Sequence, residues 1–381
     1  MKVALGGIFE ISSGGTPSKT HAEYYDGNIP WVKTGDLKSE YLNSVDEYIT
    51  DEGLKNSSAK MYEPGTVLLA MYGATIGAAS ILTFNACTNQ ACAAFKPCKD
   101  VIPEYLYYFL LSRREKFIHD GVGGAQPNIS GRYLKQVEFE LYPINEQRFV
   151  ISVLDRVNRI ISLKKEEIKK LDELIKARFV EMFGDQRYPQ EPLDNNVYEM
   201  FIGPFGSALK NECFVEPENG YCMVYEQKHA IQKTMDVTTR YVNEKKYLEL
   251  KRFSVYPGDI IVSCRGTIGE IFTVPKDAPL GIMHPSIMKI RLNTEKYDQK
   301  FFVLALEQYM NEHINEAKGS GVKMAVTATT LGKESFVIPP MEVQKQFADF
   351  VKQVDKSKVA IQKSLAETQL LFDKLMQDYF G

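Results

Sequence analysis

The chain contains no uninterrupted apolar run near the roughly 18 residues needed to cross a bilayer. Its opening, MKVALGGIFEISSGG, also lacks the apolar core and cleavage site of an export signal. These absences predict a cytoplasmic protein with no membrane partner. Cysteine is sparse: Cys87, Cys92, Cys98, Cys213, Cys222 and Cys264 are six in 381 residues, and none forms a CxxC pair. Without an export signal they are read as reduced, buried thiols, and neither a disulfide framework nor a metal is expected. An excess of one charge is missing as well. With 46 Lys and Arg against 49 Asp and Glu, the net charge is −3. A surface coated in basic residues is thereby excluded, and any grip on a polyanion must be local or shared with a partner.

Catalytic signatures are absent too. No GxxxxGK followed by Ser or Thr occurs, so the phosphate-cradling loop of a nucleotide motor is missing. The glycines at Gly121 to Gly124 run into Ala125 and Gln126 and fail the GxGxxG pattern. A methyltransferase acting on an exocyclic amine needs a side-chain carbonyl or carboxylate before two prolines and an aromatic after them. The one Pro-Pro pair is flanked by Ile338 and Met341, which cannot do that work. There is no Pro-Asp dipeptide to begin a magnesium-dependent nuclease site, and Glu244 to Lys246 lies in NEKKYLELKR, read as a solvated helix. The five histidines, His21, His119, His229, His284 and His313, form no ligand pair and are read as structural. A non-catalytic protein without a cofactor is expected.

What is present is a duplication. A chain of 381 residues, 44% hydrophobic and 25% charged, exceeds the size at which single cores stop growing, about 250 to 300 residues. The stretch PGTVLLAMYGATIG from Pro64 to Gly77 returns as PGDIIVSCRGTIG from Pro257 to Gly269. Each reads as a Pro-Gly turn, a short buried strand and a glycine-bracketed turn. Pro143, Glu146, Gln147 and Val150 are answered 197 positions later by Pro340, Val343, Gln344 and Phe347, and Phe183-Gly184 by Phe380-Gly381. The protein is two copies of one plan: a strand-rich mixed α+β globule, then a long helix.

An apolar seam in steps of four and three marks each helix. In the first it runs through Val150, Leu154, Val157, Ile161, Ile168, Leu171, Ile175 and Met182, interrupted by Lys164 and Arg178. In the second it runs through Phe347, Val351, Val354, Ile361, Leu365, Phe372, Leu375 and Tyr379, interrupted by Lys358 and Thr368. Such stripes need covering, so the helices are expected to pack on each other. A helix of some 35 residues would be roughly 50 Å long, enough to act as a spacer. The expected organisation is a globule over 1–145, a helix and linker over 146–186, a second globule over 187–340 and a second helix over 341–381.

These motifs resemble the specificity subunits of type I restriction-modification systems. SGGTPS at Ser13 to Ser18, YYDGNIPWVKTGD at Tyr24 to Asp36, PGTVLLAMYGATIG, ACAAFKP at Ala91 to Pro97, GGAQPNIS and PINEQ carry the likeness in the first half. IGPFGSALK at Ile202 to Lys210 carries it in the second. The resemblance implies two target-recognition domains, each reading half of a split double-stranded DNA site, joined by two antiparallel coiled-coil helices. It also implies two methylation subunits as partners and, for cleavage, restriction subunits that combine motor and nuclease. The second half departs from the pattern where NQA (Asn89 to Ala91) becomes HPS (His284 to Ser286) and GGAQPNIS becomes GSGVKMAVT.

Residue types that bind phosphates and base edges nominate the DNA contacts. They are Thr16, Ser18, Lys19, Lys33, Thr75, Asn89, Gln90, Gln126, Asn128 and Arg132 in the first half. In the second they are Ser207, Lys210, Arg265, Thr267, His284, Lys318, Lys323 and Thr327. Two other classes stay open at this point: a self-contained DNA methyltransferase or nuclease with a fused recognition domain, and a coiled-coil scaffold that binds no DNA.

Overall fold

A computed structural model describes residues 1–121, 128–184, 187–320 and 327–381, without the side chains of 312 and 315–320. The chain forms two compact units that interleave along the sequence. One comprises Met1–Glu167 with Ile361–Gly381, the other Ile168–Ala360.

The repeated motif explains why both units have the same centre. VLLA and IIVS are four-residue runs buried along their whole length, as befits strands covered on both faces. In the first unit, Ile11–Ser13, Cys92–Phe95, Val67–Ala70 and Ala79–Leu82 form an antiparallel sheet in that order, and Tyr41–Leu42 adds a parallel edge. In the second, Val197–Ile202, Ile287–Leu292, Ile260–Ser263 and Ile271–Thr273 repeat the antiparallel order without that edge. A second sheet follows in each unit, built around one parallel pair: Tyr25–Val32 with Ala86–Thr88, and Cys222–Tyr225 with Gly281–Met283.

The glycines of the motif have a geometric task. Gly65, Gly73 and Gly77 have φ of 86°, 65° and 79°, while Gly258, Gly266 and Gly269 have 87°, 66° and 87°. Side chains at these angles cost roughly 1–2 kcal/mol each. Three left-handed positions at matching places are why this stretch stayed readable while its surroundings diverged.

Each long helix begins after a proline and carries a buried glutamine in its first turn. Gln147 Nε2 donates to the carbonyls of Asp100 and Tyr142, and its Oε1 accepts from the Ile102 N–H. Gln344 repeats the set with the carbonyls of Lys296 and Pro339 and the N–H of Asp298. The helices, Ile144–Phe183 and Met341–Phe380, are 40 residues each and so about 60 Å long. They exceed the length expected from the seam because the first turn, anchored by the glutamine, adds residues that carry no seam position.

Both units use the start of one long helix and the end of the other, running antiparallel. In the first unit, Val150 and Leu154 share a core with Met376 and Phe380, and Lys164 Nζ donates to Ser364 Oγ and Thr368 Oγ1 at 2.7 Å. In the second, Ile175 and Phe183 share a core with Phe347, Val351 and Val354, and Lys358 pairs with Asp172. Three of the four residues that interrupt the seam, Lys164, Thr368 and Lys358, are thus polar ties between helices; Arg178 pairs with Glu181 on its own helix. Val150, Leu154, Val157, Ile161, Ile175, Phe347, Val351 and Val354 of the seam are buried, whereas Ile168, Leu171, Met182, Ile361, Leu365, Phe372, Leu375 and Tyr379 are half-buried. Among the described residues, no helix is long and apolar enough to cross a membrane. Burial pushes the Cys87 thiol up to about 12 and raises those of Cys92 and Cys222, so these cysteines stay protonated.

Candidate nucleic-acid interface

In the first unit, loops from both sheets are tied into one corner by backbone hydrogen bonds. The Gly15 N–H donates to Thr88 O, Asn89 N–H to Val32 O, Met71 N–H to Ala91 O and Ile129 N–H to Met71 O. Trp31 Nε1 donates to Gly15 O at 3.1 Å, and the hydroxyl of Tyr25 to Pro17 O at 2.6 Å. A Cβ at Gly14 would collide with the Thr88 carbonyl, so the opening loop can lie this close only because it has none. Thr16 and Gln90 meet through their side chains, Lys33 pairs with Glu47, Thr75 donates to Tyr72 O, and Asn128 bridges Tyr72. Thr16, Lys33, Thr75, Asn89, Gln90 and Asn128 are therefore brought together.

The second unit repeats two of these backbone ties. His284 N–H donates to Tyr225 O and Cys264 N–H to Ser286 O. A Cβ at Gly203 would collide with the His284 carbonyl. His284 thus stands where Asn89 stands, and their side chains do the same local work. Asn89 Oδ1 accepts from Ala91 N–H at 3.1 Å, and His284 Nδ1 from Ser286 N–H at 3.2 Å. Burial, helped by Arg240, Arg265 and Lys228 nearby, holds His284 below the usual imidazole range. With Nδ1 accepting, the neutral ring carries its proton on Nε2 and presents a donor, as the Asn89 amide does.

The other candidates fall into three groups. Ser18, Lys19, Ser207, Lys210, Arg265 and Thr267 are exposed on the corner loops or next to them. Arg132 is exposed on the helix Gly131–Gln136, and Thr327 already serves as a cap, its Oγ1 accepting from Thr330 N–H. Gln126 and Lys323 lie outside the described residues, as does the Lys318 side chain. His229 is wholly buried, with Nδ1 accepting from Glu226 N–H, as expected for a structural histidine.

Sequence reasoning missed three residues of the second corner. Phe205 is 89% exposed beside Ser207 and Lys210, a ring free to stack. Glu226 is buried and ion-paired with both Arg240 and Lys228. Burial works to raise its carboxyl, but the hydrogen bonds from Arg240 and Lys228 outweigh it and hold it below the usual range. No motif surrounds Glu226 or Arg240; the sole signal was the exposed aromatic in IGPFGSALK.

The sequence matches a family described as the type I restriction modification DNA specificity domain, over residues 1–173 and 214–369. It is 24% identical to the type I restriction enzyme MjaIX specificity subunit of Methanocaldococcus jannaschii, over 97% of this chain and 90% of that protein. It is 25% identical to the EcoR124I/EcoR124II specificity subunit of Escherichia coli, over 46% of this chain and 45% of that one. A chain solved for the assembly and conformational transition of the type I R-M system superposes with a TM-score of 0.69 at 15% identity, covering 100% of this chain and 97% of that one. The type I S subunit from M. genitalium gives 0.50 at 16%, covering 100% and 96%. At such identities the structural likeness shows the fold alone.

Proposed function

The chain belongs to the type I restriction-modification DNA specificity family, and from that premise we propose that its two corners read the two halves of a split duplex target. Its role is recognition, not catalysis. The observation that carries the split is the pair of matching corners: the same backbone bonds hold Asn89 in one and His284 in the other. A shared scaffold with different side chains is what reading two different half-sites requires. In this reading 1–145 and 187–340 are the readers, and 146–186 and 341–381 are the spacers that set the gap between half-sites. The candidate contacts are the loop residues named above, with Gln126, Lys318 and Lys323 among them. Partners are two methylation subunits and, for cleavage, restriction motor-nuclease subunits, in the cytoplasm. Exposed apolar residues on the long helices, such as Phe149, Leu163 and Leu370, give such partners a surface.

The test is to map methylated adenines made by the chain with its methylation partner. A split motif with a constant gap is expected, and contiguous or scattered methylation would overturn the reading. Inserting seven residues into each long helix adds about 10.5 Å. It should widen the gap by up to about three base pairs at 3.4 Å each and leave both half-sites unchanged.

A further inference from the structure

The two corners carry an ion pair in reversed order. Val32 O and Tyr225 O accept the equivalent N–H groups of Asn89 and His284, so the residues that follow, Lys33 and Glu226, occupy the same place. Trp31 N–H donates to Glu47 O and Val224 N–H to Arg240 O, which puts Glu47 and Arg240 in matching places too. Lys33 pairs with Glu47, and Glu226 pairs with Arg240. The positions are kept and the charges are exchanged.

Stability alone does not account for the exchange, because either order satisfies both charges. What changes is the chemistry next to the recognition loop. In the first unit the residue beside Asn89 is a half-exposed ammonium, 5.8 Å from the Trp31 ring. In the second it is a carboxylate with only 10% of its side chain exposed, occupied by Arg240 and by Lys228 at 2.8 Å. Arg240 lies 4.0 Å over the ring of Phe214, and a third of its side chain remains exposed. A guanidinium fixed on one edge by a carboxylate and on its face by a ring has its remaining N–H groups set in one plane. The neighbouring Gln227 has a buried Oε1 without a partner among the described residues, and its amide lies beside the turn at Gly266 that carries Arg265.

We propose that Arg240 is a base-reading residue of the second domain, aimed by Glu226 as its positioning residue, and that Lys33 is its counterpart in the first. The chemistry fits the acceptor pair on the major-groove edge of guanine, which a planar fork engages bidentately and an ammonium engages as a point donor. The proposal rests on the corners being the DNA interface.

The test uses the full chain with its methylation subunits and a library of duplexes randomised over both half-sites. Arg240→Lys keeps the charge and the ion pair but loses the fork. It should lower the preference for one base pair in one half-site about tenfold, leaving the other half-site and the melting temperature unchanged. The exchange Glu226→Lys with Arg240→Glu, which installs the first unit's order, should change the preferred base at that position. Unchanged preferences in both variants would overturn the proposal. Arg265→Ala separates the two failures: if it still weakens binding, the corner is an interface and the pair is structural. If Arg265→Ala is silent as well, the interface reading falls with it.

Discussion

Ala94 and Lys289 hold the same place in the two central sheets. Ala94 lies opposite Leu68 and Lys289 opposite Ile261, and both are buried. Around Ala94 the space is filled by Leu68, Ala70 and Leu82. Around Lys289 it is filled by charge: its Nζ donates to Glu199 at 2.8 Å and to Ser254 O at 2.9 Å, and Arg291 makes two bonds of 2.8 Å to Asp259. The same backbone has thus been packed once by apolar groups and once by an ionic network. What the duplication preserves is turn geometry and helix anchoring, while the chemistry between them is free to change.

The largest expected effect tests whether the units are equivalent where they should be. Phe183 packs on Phe301 and Phe347 in the second unit, and Phe380 on Tyr105 and Phe109 in the first. Truncating either to alanine should cost about 3–5 kcal/mol. Hydrogen exchange should place the loss in the unit that receives the ring, and loss in the other unit would break the correspondence.

Next comes the difference in core chemistry. Glu199→Ala leaves Lys289 buried without its counterion and should destabilise the second unit by about 3 kcal/mol. Adding Lys289→Met should restore most of this, bringing the site closer to its apolar twin. A double variant no better than the single one would show that Lys289 is needed for something other than its pair. The buried amides should be smaller and matched. Gln147→Ala and Gln344→Ala each strand an N–H and two carbonyls, a loss of about 2 kcal/mol apiece in denaturant titrations. A difference between them larger than their common cost would show that one anchor is dispensable.

Acidification should separate the units most gently. Burial lowers the pKa of both His229 and His284, so the unfolded chain takes up protons near pH 6.5 that the folded second unit does not. Stability from this source is present above about pH 6.5 and falls as the pH drops below it. At lower pH Glu226 adds its share, since a depressed carboxyl loses its contribution as pH falls through the folded value. Faster proteolysis of second-unit segments at pH 5.5 than at pH 7 is expected, and an unchanged rate would contradict it.

Legibility followed the same division. The Pro-Gly and glycine-bracketed turns were readable because backbone geometry leaves few alternatives at those places; Gln147 and Gln344 stood out as a repeated pair, but their anchoring hydrogen bonds did not show. Both helices were readable from their seams, and the expected starts at 146 and 341 fall within two residues of the observed Ile144 and Met341. Asn89 and His284 could be aligned by order along the chain. Arg240, Glu226 and Lys289 could not, because their counterparts are Glu47, Lys33 and Ala94, and no pattern in residue type survives such exchanges. Thr327, nominated as a contact, also caps a helix in the fold, since threonine suits both tasks.

The reciprocal seating of the two helix ends also bears on the order of the two copies. In the second unit Phe183 is reached mid-chain, seven positions before the strand Gln190–Pro192. In the first unit, Phe380 and Gly381 line the same cleft as Lys2 of the strand Lys2–Ala4. Those two strands are equivalent, pairing with Ser335–Val337 and Glu138–Glu140 respectively. A gene rearranged to join Gly381 to Met1 through a few linking residues, and opened between Gly184 and Tyr188, would encode the same set of contacts with the halves in the opposite order. The contacts within each unit thus do not by themselves fix the order in which the two copies are encoded.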